Sequence, residues 1–147
     1  MGSGYRYECD NCGHTVETSG PWEFYRDATG ARKPFGHPVP ISEEAVRMGI
    51  AGLSAELYCP LCDKVHDLVA VEFKRPYQGR WFWLEAGEVE PKDEFKREDA
   101  VKCPDCGNSE LILGPEDEDS PGFNARMSIL CPRCKKGKLS GGMAWIS

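Results

Sequence analysis

The sequence predicts a small, mainly β protein built from two metal-stabilised modules, with short antiparallel hairpins and one short helix. Three observations predict this fold class. All eight cysteines of the 147-residue chain occur as four C-x2-C pairs, at 9–12, 59–62, 103–106 and 131–134. Short segments of alternating polar and apolar residues lie beside these pairs, as strands do. A module of about 45 to 85 residues buries little apolar surface, and a bound metal is one usual source of its stability.

The cysteine pairs are the clearest chemical signal in the chain. Two facing C-x2-C turns place four thiolates around one ion, in the closed tetrahedral shell typical of structural zinc. The N-terminal residues MGSGYRYE lack the apolar segment of a secretory signal, so we expect a cytoplasmic location, where paired cysteines bind metal rather than form disulfides. We therefore predict two Zn²⁺ per chain, with the ligands Cys9, Cys12, Cys59, Cys62, Cys103, Cys106, Cys131 and Cys134.

Four cysteine pairs can combine in three ways. Sequential pairing joins Cys9/Cys12 with Cys59/Cys62 and Cys103/Cys106 with Cys131/Cys134, and it is preferred because it closes the shorter loops. It divides the chain into an elaborated module at 1–84, an acidic connector at 85–102 and a second module at 103–147. An interleaved arrangement, with the first and fourth pairs together, is the alternative and resembles the zinc domain of the J-protein chaperones.

The first module contains most of the predicted strands. Alternation predicts strands at 5–8 and 14–18 around the first cysteine pair, and Gly13 supplies the positive φ that the turn after such a pair needs. A further strand is predicted at 22–25, and 67–84 is predicted to be a hairpin.

One short helix is predicted between these strands. Residues 28–40 are rich in Gly and Pro and precede it as a loop. Ser42 is a good N-cap, and Glu43 and Glu44 suit the first turn of the helix. The glycines that follow, beginning with Gly49, end it early.

The connector and the second module carry weaker patterns. Pro91 suits the first position of a short polar helix through Asp99. In the second module, strands are predicted at 111–113, 127–130 and 143–146, and an acidic hairpin tip is predicted at 114–121.

The cysteine pairs resemble those of the zinc-ribbon superfamily, which implies two tandem zinc-ribbon modules. Such modules are mostly structural parts of nucleic-acid machinery or of larger assemblies. The C-P-x-C sequences at 59–62, 103–106 and 131–134 are also similar to rubredoxin. That resemblance is strongest in the first module, and it implies the alternative of an iron site that carries single electrons.

The acidic tip of the second module is similar to that of the transcript-cleavage elongation factors. Asp117 and Glu118 stand where that family has an acidic pair that holds magnesium. The simpler interpretation is a solvated acidic turn. His14 and His66 lie next to cysteine pairs, but eight cysteines are enough for two ions, so we expect both histidines outside the coordination shell.

Charge and composition restrict the function. A net charge of -6 argues against a general phosphate-binding protein. No apolar run approaches the roughly 20 residues that span a bilayer, so no membrane contact is expected. Phosphate-loop, His-Glu metal and nucleophile-elbow motifs are absent, which favours a binding protein over an enzyme.

Two surfaces are candidates for binding a protein or a nucleic acid. The first combines cations with aromatic rings, as single-strand-binding surfaces do, although the same rings suit a thin core. The second surrounds the last cysteine pair, where a solvated basic turn is the simpler interpretation. Their residues are Arg75, Arg80, Trp81 and Trp83 for the first, and Arg133, Lys135, Lys136 and Lys138 for the second.

Overall fold

The computed structural model of the chain describes residues 2–36, 39–78, 95–96, 101–113 and 128–146. Nearly all of its regular structure is β. The elements in chain order are β1 Ser3–Cys9, β2 Thr15–Arg26, β3 Arg32–Pro34, α1 Glu43–Met48, β4 Ile50–Cys59, β5 Lys64–Tyr77, β6 Phe95–Lys96, β7 Ser128–Leu130 and β8 Lys138–Ile146.

The described strands form one antiparallel sheet, in the order β6-β5-β4-β2-β1-β8-β7, with β3 paired to β2. The prediction of a mainly β fold is therefore confirmed. The tandem zinc-ribbon modules and the boundaries at 84 and 102 stay predictions. Within the described residues no helix is long and apolar enough to cross a bilayer.

The short helix forms where the sequence predicts it. The Ser42 side chain accepts a hydrogen bond from the Ala45 amide at 3.0 Å, as an N-cap does. Gly49 ends the helix with a φ of 79°, and its amide donates to the Ala45 carbonyl. Both capping predictions are confirmed. Helix α1 buries Ala45 in an apolar cluster with Tyr25, Phe35, Ile50 and Phe73.

The central strand β2 is longer than predicted. The strands predicted at 14–18 and 22–25 are one strand, Thr15–Arg26, which continues through Gly20-Pro21. An irregularity between Ser19 and Trp22 keeps β2 paired with β4 on both sides of this dipeptide. Proline is tolerated at such a bulge because the ladder has no hydrogen bond to lose there. Part of the predicted loop at 28–40 is also a strand, β3, paired with the end of β2.

The connector differs from its prediction at the two residues that the structure describes. Phe95 and Lys96 are extended and pair with Phe73 and Glu72 of β5. The polar helix predicted from Pro91 to Asp99 is therefore wrong at Phe95 and Lys96, where the backbone instead pairs with the edge strand β5. The remaining connector residues, the return strand 81–84 and the acidic tip 114–121 lie outside the described residues.

The two ends of the described chain meet in the sheet. Strand β1 pairs with β8 from Ser3 opposite Ile146 to Cys9 opposite Leu139. The segment 111–113, predicted as a strand of the second module, instead makes one antiparallel bridge to β4, where Tyr58 and Ile112 exchange two backbone hydrogen bonds of 2.9 and 3.0 Å. These contacts position the cysteine pairs. The larger apolar cluster surrounds them and contains Tyr5, Tyr7, Val16, Ala55, Leu57, Tyr58, Leu111, Ile112, Leu113 and Leu139.

The pairing of β1 with β8 can be tested with two neighbouring glycines. A Cβ at Gly141 would collide with the Arg6 carbonyl group, whereas a Cβ at Gly142 would meet nothing within 4 Å. We expect Gly141→Ala to lower the free energy of unfolding by about 1 to 3 kcal/mol, because backbone must move to accept it. Gly142→Ala should change that free energy by less than about 0.5 kcal/mol. Urea denaturation measures both, and equal effects of the two substitutions would contradict this register.

Candidate metal centres

The structure brings the eight cysteines together in two groups of four. The terminal group combines the first and fourth pairs, and the central group combines the second and third. In each group the four Sγ atoms all lie within 4.8 Å of one another. The terminal group is Cys9, Cys12, Cys131 and Cys134, and the central group is Cys59, Cys62, Cys103 and Cys106.

This grouping is not the sequential one, so the predicted pairing is wrong and the interleaved alternative is correct. The preference for sequential pairing rested on loop closure, but each doubling of loop length costs only about 0.6 kcal/mol. The backbone hydrogen bonds of the β1–β8 pairing and of the Tyr58–Ile112 bridge offset that free-energy cost. Long-range sheet pairing therefore decides which cysteines meet.

The distances between sulfur atoms fit a four-coordinate metal ion. Metal–sulfur bonds of about 2.3 Å place the sulfurs of a regular tetrahedron about 3.8 Å apart. The Sγ atoms of Cys9 and Cys134 are 3.6 Å apart, and those of Cys12 and Cys131 are 3.7 Å apart. In the central group the corresponding distances are 3.6 Å for Cys59–Cys106 and 3.8 Å for Cys62–Cys103. Both groups could hold a metal ion through four thiolates.

The four cysteine turns share one backbone conformation. The residue after each pair has a positive φ, between 53° and 76°. In three turns the amide of that residue donates to the carbonyl of the first cysteine, as Gly13 does to Cys9 at 3.2 Å. The prediction for Gly13 is confirmed, and non-glycine residues bear the cost of this conformation in two turns. The four residues are Gly13, Asp63, Gly107 and Lys135.

Each turn buries its first cysteine and leaves its second more accessible. Cys9, Cys59, Cys103 and Cys131 are buried, whereas Cys12 and Cys106 are exposed and Cys62 and Cys134 are half-buried. Each candidate site therefore has two sulfurs in the apolar cluster and two towards solvent.

Hydrogen bonds to the sulfurs favour the thiolate form of one cysteine in each group. The backbone amides of Gly137 and Lys136 lower the pKa of Cys134 to about 6. At Cys59 burial opposes ionisation, but hydrogen bonds from the Cys62 amide and the Asn108 side chain outweigh it and lower the pKa to about 7. Hydrogen bonding to Cys106 and burial raise the pKa of Cys62 to about 12. Ionisation of all four thiols therefore needs a cation to offset their repulsion.

Asp63 links the two groups and was not singled out from the sequence. It follows Cys62 of the central group, and its carboxylate lies 2.9 Å from Arg133 Nε and 2.7 Å from His14 Nε2, both within two residues of a cysteine of the terminal group. The Tyr58 hydroxyl donates to the same carboxylate at 2.7 Å. One carboxylate therefore bridges the two candidate sites.

The charge of Asp63 follows from these contacts. Burial favours its neutral form, but the hydrogen bonds from Tyr58, His14 and Arg133 outweigh burial and lower its pKa. Burial and the hydrogen bond to Asp63 raise the pKa of Tyr58, so its hydroxyl stays a donor. One feature of the sequence could have drawn attention to Asp63: it follows a cysteine pair, at the position where two of the other turns have glycine.

His14 and His66, which are predicted not to bind the metal, both lie outside the two four-cysteine groups. His14 contacts Asp63, and His66 Nε2 lies 3.4 Å from the sulfur of Cys103. His66 therefore contacts a candidate ligand from outside the group, in the position expected of a residue that orients the ligand.

The predicted partner surfaces are only partly described. Arg75 is exposed, whereas Arg80, Trp81 and Trp83 lie outside the described residues. Of the second surface, Arg133 forms an ion pair with Asp63 and the lysines are exposed. The Asp117-Glu118 pair also lies outside the described residues.

Comparison of the chain with protein families, with curated proteins and with solved structures found no match. The chemistry of the two groups therefore rests on their own geometry.

The interleaved grouping can be tested by metal counts in two double variants. Cys12→Ser with Cys134→Ser damages only the terminal group, so we expect one metal ion per chain to remain. Cys12→Ser with Cys62→Ser damages both groups, so we expect both ions to be lost. Elemental analysis of the purified variants measures the counts. Sequential pairing requires the opposite outcome, because Cys12 and Cys62 would then belong to one site.

The bridging role of Asp63 can be tested with two Asp→Asn substitutions next to cysteines. Asp63→Asn weakens three charge-assisted contacts, and we expect it to lower the free energy of unfolding by about 1.5 to 3 kcal/mol. Asp105→Asn is the control, because Asp105 is exposed and pairs with Lys64 at 3.2 Å; its effect should be below about 1 kcal/mol. Denaturation of the metal-loaded proteins measures both. Similar small effects would show that the bridge contributes little.

Proposed function

We propose that both four-cysteine groups hold Zn²⁺ as structural ions, and that the protein acts in the cytoplasm by binding a protein or a nucleic acid. Four thiolates close the coordination shell and leave no position for a reacting water. Soft thiolate ligands in a tetrahedral arrangement favour zinc among the common divalent ions.

The observation that carries this proposal is the sequence distance between the residues in each group. Cys9 and Cys134 are 125 positions apart, yet their sulfurs are 3.6 Å apart. An ion in the terminal group would fasten β1 to the turn before β8, and an ion in the central group would fasten the β4–β5 turn to the segment before Leu111. Such cross-links stabilise the folded chain, which is the role of a structural metal.

Exposed polar side chains beside these sites support the partner-binding part of the proposal. Lys135, Lys136 and Lys138 are exposed around the last cysteine turn. Three exposed lysines in and after one turn suit contact with phosphates or with an acidic protein surface.

Iron is the alternative, and the exposure of two cysteines favours it. Cys12 and Cys106 are exposed, one in each group. Electron transfer needs a ligand close to the surface, and amide hydrogen bonds to sulfur, such as the 3.3 Å contact from Gly137 to Cys134, help to set a reduction potential. With iron, each site would carry single electrons.

The identity of the bound metal decides between the structural zinc proposal and the iron electron-carrier alternative. In protein purified without added metal, we expect two zinc ions per chain, no colour, and loss of the β circular dichroism signal when a chelator removes the ions. Elemental analysis and the visible spectrum measure this directly. Iron with thiolate charge-transfer bands would replace the structural proposal with the electron carrier. Partner binding fails as a proposal if neither a gel shift with oligonucleotides nor a pull-down finds a partner for the zinc-loaded protein.

A further inference from the structure

A groove on the sheet lies outside the cysteine groups and outside both partner surfaces predicted from the sequence. Its volume is about 480 Å³, within the range of sites that take small ligands or single side chains. Strands β2, β3, β4, β5 and β8 all contribute to it. Its residues include Trp22 and Trp145, the carboxylates Glu56 and Asp67, and the cations Arg32 and Lys33.

One wall of the groove consists of two indole rings. The ring centres of Trp22 and Trp145 are 5.7 Å apart, and the planes are tilted by 33°. The rings lie against Gly2 and Gly4, where a Cβ would collide with Trp22 and Trp145 respectively. Glycine at these positions therefore lets both indoles lie close to the backbone. Trp145 is nevertheless 47% exposed, so part of its ring is available to a ligand.

The cations that line the groove already have carboxylate partners. Arg32 binds Asp67 at 2.9 Å, and Lys33 lies 3.3 Å from Asp27. Glu56 is exposed, and its partner in the described part of the chain is a neutral one, the Ser19 hydroxyl at 3.0 Å. The charge balance therefore favours a cationic ligand and disfavours a phosphate.

We propose that this groove binds an arginine side chain of a partner protein. The guanidinium group would stack on the Trp145 indole and donate hydrogen bonds to the Glu56 carboxylate, a combination that suits its planar, delocalised charge. The chain shows the same stacking internally, because the guanidinium carbons of Arg26 and Arg32 lie 5.5 and 5.9 Å from the ring centre of Phe24. This inference rests on the proposed function and narrows its partner to a protein with an exposed arginine.

Titration of the zinc-loaded protein with short peptides tests the proposal. The probe is acetyl-Gly-Arg-Gly-Arg-Gly-amide, and the controls are the same peptide with Glu in place of Arg, and an oligothymidine. The indole N–H signals in nuclear magnetic resonance spectra report binding, and Trp145→Phe assigns the signal of Trp145. We expect the arginine peptide to shift that signal and the two controls to leave it unchanged.

Substitutions in the groove separate charge from packing. Glu56→Gln keeps an oxygen that can accept from Ser19 but removes the charge, and we expect it to weaken arginine-peptide binding about two- to fivefold. Trp145→Ala removes the stacking surface and, with the Trp22 indole signal as the readout, should weaken binding about two- to fivefold as well. Glu17→Gln removes the same charge at an exposed site on β2 outside the groove lining, and it should leave the affinity unchanged.

The possible results distinguish this proposal from the one on which it rests. Unchanged affinity in Glu56→Gln, or an oligothymidine that shifts the Trp145 signal in place of the peptide, overturns the groove proposal. A protein that contains two zinc ions and shows no shift with the arginine peptide also overturns it, while the structural role of the metal stands. A protein without zinc whose Trp145 signal still responds to the arginine peptide contradicts the metal assignment and supports the groove.

Discussion

The antiparallel pairing of β1 with β8 is the contact on which the two candidate metal centres depend. It places the turn after β1 beside the turn before β8, so Cys9 and Cys12 meet Cys131 and Cys134. Once the terminal group is formed in this way, the remaining two pairs have only each other as partners. The Tyr58–Ile112 bridge holds them in the same part of the sheet. The cysteine turns are local, but which turns form a site is a property of the whole sheet.

The two groups are neighbours in a shared structure rather than independent sites. Both buried cysteines of each group belong to the same apolar cluster, and Asp63 joins the turns of the two groups through His14 and Arg133. A metal that orders one group also orders the hydrogen-bond partners of the other, so occupancy of one site should favour occupancy of the second. Tandem modules that fold separately would have no such coupling. This physical difference follows directly from interleaved rather than sequential pairing.

Local chemistry could be predicted from the sequence, whereas long-range pairing could not. The C-x2-C spacing, the positive φ of Gly13 and the caps of α1 depend on a few adjacent residues, and each was predicted. The choice between sequential and interleaved cysteines depends on strand pairing across more than a hundred positions, which alternation does not encode. Loop closure and the position of the connector between the modules favoured sequential pairing, and the energy of loop closure is too small to decide. The sequence placed Trp22 and Trp145 in strands but could not predict their contact. That contact depends on β1 lying between the strands that carry them.

The distribution of charge differs between the two surfaces that are proposed to bind partners. Four thiolates around a divalent ion keep an excess of negative charge. Lys135 and Lys136 follow Cys134 in its turn and Lys138 begins β8, so part of their charge would offset that of the site. Arg133 is already paired with Asp63. Basic residues near the terminal group are therefore weaker evidence for nucleic acid than their number suggests. The groove has the opposite character, with its own cations neutralised and Glu56 exposed beside an indole. With a net charge of -6 for the chain, electrostatic attraction favours a basic protein partner at the groove over a phosphate backbone at the lysine-rich turn.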